Sequence, residues 1–97
     1  MGVDVRGPKP LDTHPGDEIV GWAREQLGIA RSIVDNPGGG LVFATQTMGQ
    51  VRSGLVERDS HRWSEVARLL ERAEDAAVRR EFAQARALLT EASGKLG

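Results

Sequence analysis

WSEVARLLERAEDAAVRREFAQARALLTEA, residues 63–92, decides how this chain folds. Trp63, Val66, Ala67, Leu70, Ala73 and Ala77 recur at three- and four-residue steps, which places them on one face of an α-helix. Arg62, Glu65, Arg68, Glu71, Arg72 and Asp75 fall on the other face. Opposite signs three and four apart, such as Glu71 and Asp75 near Arg68 and Arg72, contribute roughly 0.2–0.5 kcal/mol per pair on a solvated surface. The apolar phase slips near Arg79-Arg80-Glu81 and resumes as Phe82, Ala85, Leu88, Leu89, Ala92 and Leu96. Neither glycine nor proline marks the slip, so a kink in one long helix competes with a tight turn. A single helix over 60–95 is unusually long for so small a domain, and the turn is the expected reading. Asp59-Ser60 offers side-chain oxygens to the free amides of a helix start. Gly94 and Gly97 suit its end. The stretch predicts two helices, over 60–79 and 81–95.

Upstream, Ile19, Trp22, Ala23, Leu27, Ala30, Ile33 and Val34 carry the same period and predict a helix over 17–35. Asp17 and Glu18 stand in its first turn, where negative charge opposes the positive end of the helix dipole. Gly21 and Gly28, seven apart, read as tolerated glycines on an exposed face, with close approach of a second helix as the alternative. Asn36-Pro-Gly-Gly-Gly40 then breaks the helix. It is no phosphate-binding loop, because Leu-Val-Phe-Ala follows where Gly-Lys-Ser/Thr is required. Leu41, Ala44, Met48, Val51 and Leu55 step by three and four and predict a further helix over 41–58. Leu41–Thr45 alone has strand propensity, so strand-like structure there is the competing expectation.

Residues 1–16 hold three of the four prolines and no apolar period, and read as a flexible arm before a single helical domain over 17–97. Arg6 and Lys9 precede no apolar run of a secretory signal, and no segment approaches the ~20 apolar residues of a membrane span, so the expected location is the cytoplasm. At 97 residues, 39% hydrophobic and 28% charged, the chain fits one ordinary globular domain. The fold class is therefore all-α: a small four-helix bundle built from two helical hairpins. Eleven arginines against two lysines match the codon usage of a GC-rich, actinobacterial-type genome, since acids balance them to a net charge of −1.

Part of the quoted stretch resembles a single tetratricopeptide-type helical hairpin. Phe82, Ala85, Leu89 and Ala92 stand at the aromatic, small, large and small positions of its second helix, and Ala73 at the small position of its first. Arg72 replaces an apolar position, Arg80 stands where the turn glycine is expected, and no proline follows. The resemblance covers about thirty residues and implies a helix pair packed through alanines, without the groove that ~3 or more repeats would form. The chain does not match the helical hairpins exported by type VII secretion. Trp22 is followed by Ala-Arg and Trp63 by Ser-Glu, not by the Trp-x-Gly turn, and there is no tyrosine for the tail signal.

The titratable residues form no converging set, and the expected reading is an interaction protein. With no cysteine and only His14 and His61, neither a thiolate site nor a histidine metal site is expected, and no cofactor is implied. Asp59, Ser60, Ser64 and His61 compose a triad only on paper, because adjacent helical residues point in different directions. No enzyme activity is expected. A nucleic-acid-binding regulator is the alternative, but Arg58, Arg62, Arg79 and Arg80 form a basic patch only if folding gathers them. The expected function is a non-catalytic protein–protein interaction or assembly module whose partner is another protein, most simply a second copy. Nucleic acid and membrane are not expected partners. The candidate interface residues are Trp22, Phe43 and Met48, since aromatics and Met are enriched at such surfaces. The competing expectation places all three in the core.

Overall fold

The computed structural model describes residues 17–96; the expected arm, residues 1–16, and Gly97 lie outside the described residues. Four helices follow one another: α1 (Asp17–Asp35), α2 (Leu41–Asp59), α3 (Ser64–Val78) and α4 (Phe82–Gly94). Each packs on its neighbour in sequence, and α4 packs back on α1 to close the ring. Connections this short force antiparallel neighbours, so the architecture is an up-down-up-down four-helix bundle. The α3–α4 seam is the most extensive and the α1–α4 seam the thinnest.

One core runs through all four helices. Ile19, Leu27, Met48, Leu55, Leu70 and Leu89 are its largest fully buried side chains. Alanines fill the space between them: Ala23, Ala30 and Ala44 in the first hairpin, Ala73, Ala77, Ala85 and Ala92 in the second. Trp63 and Leu96 close the end of the bundle where α3 begins and α4 finishes. The α3 stripe is wider than its first reading, because Leu69 and Ala76 are buried as well.

The turns explain where the helices stop. After α1, the Gly40 N–H reaches the Pro37 carbonyl at 2.6 Å, with Gly38 at φ +48° inside the turn. A side chain at Gly40 would press on Ile33, so the loop lies flush against α1. The chain is helical from Leu41 onward, without strand at 41–45. Asp59 and Ser60 do not cap α3: Asp59 ends α2, and α3 starts at Ser64, not at 60, with Trp63 in its N-cap position and no side-chain cap bond. Residues 60–63 form a turn in which Asp59 accepts the Arg62 N–H on Oδ1 (3.0 Å) and the Trp63 N–H on its carbonyl (3.1 Å).

The phase slip at 79–81 is a tight turn. Arg80 adopts φ +64°, the Glu81 N–H bonds back to the Ala76 carbonyl at 2.9 Å, and the Arg80 N–H to Ala77 at 3.0 Å. This is the Schellman arrangement, whose left-handed residue is usually glycine. Gly94 turns out to be the last residue of α4, with Lys95 in the cap position.

Candidate functional site

Residues 36–51 carry no charge, in a chain where more than a quarter of residues do. Most of this stretch is the first half of α2. Its buried face takes Ala44, Thr47, Met48 and Val51 into the core, with the Thr47 hydroxyl donating to the Phe43 carbonyl at 2.9 Å. The remaining positions carry no charge of their own, although Thr45, Gln46 and Gly49 border Arg52, Glu71, Glu74 and Asp75 on the α3 side, and Val42 and Phe43 stand out at 67% and 56% exposed.

The adjoining surface of α1 continues that face. Trp22, Ile29 and Ile33 lie seven and four residues apart and so share one side of α1. Phe43, Gln50 and Gly54 repeat the spacing on α2. The two sides meet along the α1–α2 seam: an added Cβ at Gly54 would lie 3.0 Å from the Trp22 ring, and one at Gly40 3.1 Å from Ile33. Trp22 is half-buried on this glycine seat, and Ile29 is exposed.

Of the three residues expected at an interface, the fold brings two to this surface. Phe43 and the outer part of Trp22 lie on it, toward opposite ends of the seam. Met48 is 0% exposed and shares its face of α2 with Ala44, Val51 and Leu55, so it belongs to the monomer's core. Sequence reading missed Gly54 as the seat of Trp22, although a glycine inside a helical pattern often marks close approach. Gly21 and Gly28 have nothing within 4 Å of an added Cβ, so close approach falls on Gly54 instead.

On its other flank α2 is fixed by charge. Arg52 donates from Nε to Glu74 Oε2 at 2.8 Å and from Nη2 to Oε1 at 3.3 Å, a bidentate pair across the α2–α3 seam. The Glu74 hydrogen bond holds the guanidinium pKa above its ordinary value, against the opposing effect of burial. Further ion pairs join Asp35 to Arg86 and Glu65 to Lys95 across other seams. At the end of α3, Asp75 pairs with the capping residue Arg79 at 3.6 Å.

The remaining candidate groups do not converge. The Ser64 hydroxyl donates to the His61 backbone carbonyl, and the Asp59 carboxylate is engaged by the Arg62 amide. Arg58 and Arg62 lie at the α2–α3 turn, whereas Arg79 and Arg80 lie at the α3–α4 turn. The fifteen residues of α3 separate the two pairs, about 22 Å of helix. Arg62 stacks over the Trp63 ring, 4.4 Å from its centroid. Among the described residues no cluster of three His, Cys, Asp or Glu side chains is placed to hold a metal ion, and no helix is long and apolar enough to cross a membrane.

No family model, curated protein or solved structure matches this chain.

Proposed function

We propose that the chain is a non-catalytic protein–protein interaction or assembly module of the cytoplasm that pairs with a second copy of itself through the α1–α2 face. The observation that carries this reading is the uncharged surface around Phe43, beside the exposed Ile29 and the half-buried Trp22. Interface centres are depleted in charge and enriched in aromatics. A two-fold axis lets one such patch cover its own copy, the commonest arrangement of soluble oligomers. The alanine-packed α3–α4 hairpin, with its tetratricopeptide-type spacing, acts as the scaffold behind that face.

Sedimentation velocity over a concentration series tests the proposal: the apparent mass rises toward a dimer in the high micromolar range. Phe43→Glu returns the chain to a monomer with its helical circular dichroism intact. A nucleic-acid regulator would need a basic stripe, and Arg58 and Arg62 lie at the opposite end of α3 from Arg79 and Arg80. Duplex DNA binding that weakens steeply with added salt would reinstate it.

A further inference from the structure

The thinnest seam of the bundle holds an arrangement that the self-association reading does not use. Between α1 and α4 runs an open cleft lined by Arg31, Asp35, Ala83, Arg86, Ala87 and Thr90. Ala83 and Ala87 carry too little side chain to fill it. Arg31 reaches across from α1, its Nη1 3.4 Å from the Thr90 Oγ1, and makes no ion pair with any described residue. On α4, Arg86 is one helical turn before Thr90. Its Nε lies 3.1 Å from Asp35 Oδ1, one of the five N–H donors of its guanidinium. Asp35 is the one acid lining the cleft, so the cleft carries a net positive charge of one.

We infer that this cleft binds an oxyanion of the phosphate class. A guanidinium has five N–H donors and no acceptor, so Arg31 and Arg86 together retain more donors than Thr90 and Asp35 accept. The Thr90 hydroxyl accepts from Arg31 and still has its own hydrogen to donate. The donors come from two helices and from two directions. A planar carboxylate is satisfied by a single guanidinium fork, whereas a tetrahedral phosphate has oxygens to spare for donors on both walls. Bound there, the anion ties α1 to α4 at the seam where side-chain packing is least extensive. Because it binds the folded chain and not the unfolded one, it raises thermal stability by mass action.

The test is a titration of the full chain with inorganic pyrophosphate at constant ionic strength, followed by NMR of the arginine Nε–Hε groups and backbone amides. Saturable shifts are expected at Arg31, Arg86 and the Thr90 amide. Arg31→Gln weakens the binding about fivefold, as expected for the loss of one exposed charge-assisted contact. Thr90→Val weakens it to a smaller extent. Arg72→Gln, on the exposed side of α3, leaves it unchanged. Circular dichroism confirms that each variant keeps its helices. Shifts that never saturate, that spread equally over Arg72, or that saturate in Arg31→Gln with the wild-type affinity overturn the proposal. These readouts are independent of oligomeric state, so a failure here is distinct from a failure of the dimer reading.

Discussion

Arg80 holds a backbone conformation that L side chains rarely adopt, at φ +64°. The left-handed region costs a non-glycine residue roughly 1–2 kcal/mol. Arg80→Gly removes that cost but loosens the unfolded chain, which returns part of the gain. The expected net effect is a stabilisation of about 0.5–1 kcal/mol, seen as a melting temperature a few degrees higher by calorimetry. Gly54 makes the opposite case. Alanine improves an exposed helix interior by roughly 1 kcal/mol, and Gly21→Ala, with open space at its Cβ, should show most of that gain. At Gly54 the new methyl meets the Trp22 ring at 3.0 Å. Overpacking of this kind costs about 1–3 kcal/mol, so Gly54→Ala should destabilise on balance and displace the indole NMR resonance of Trp22.

At the scale of elements, the apolar period carried most of the information. It located α1 at 17–35 and α2 from Leu41, because burial of one stripe per helix is what the fold requires. It failed at the α2–α3 turn, where Ser60 and His61 fit a helix start as well as they fit a turn. There the Asp59 carboxylate and carbonyl take up the Arg62 and Trp63 amides, which holds 60–63 as a turn before Ser64. The candidate surface was half legible. Met48 stands in the apolar stripe of Leu41, Ala44, Val51 and Leu55 and Phe43 stands outside it, so the period that marks α2 also separates the buried residue from the exposed one. Met48→Glu should therefore unfold the chain, with a loss of several kcal/mol, since a large-to-Ala change in a core already costs about 2–5 kcal/mol. Phe43→Glu should leave the melting curve of the monomer nearly unchanged.

The Arg52–Glu74 pair was invisible in the sequence, because its partners are brought together only by the α2–α3 packing. At about one quarter to one third exposed, it is shielded enough to matter. Glu74→Gln should cost about 1 kcal/mol in chemical denaturation, after allowance for solvent screening. Folding raises the Arg52 pKa, so its contribution is fully present below the ordinary arginine pKa and is lost only above it. The effect of Glu74→Gln should accordingly not depend on changes in arginine ionisation at physiological pH.

The whole molecule divides into two faces of different character. The α3–α4 hairpin is packed through alanines and coated with both signs of charge, with Val78 exposed at the end of α3. The α1–α2 hairpin buries its large residues as well, yet leaves Val42, Phe43 and Ile29 on a surface that lacks charge over residues 36–51. The proposed self-association rests on the exposure of one of the chain's two phenylalanines on such a surface, which a second copy would cover. The measurement closest to this claim is sedimentation equilibrium of the wild-type chain beside Phe43→Glu at high micromolar concentration. The account predicts a dimer for the wild type and a fully helical monomer for the variant. A wild-type chain that stays strictly monomeric, or a variant that still dimerises, would contradict it.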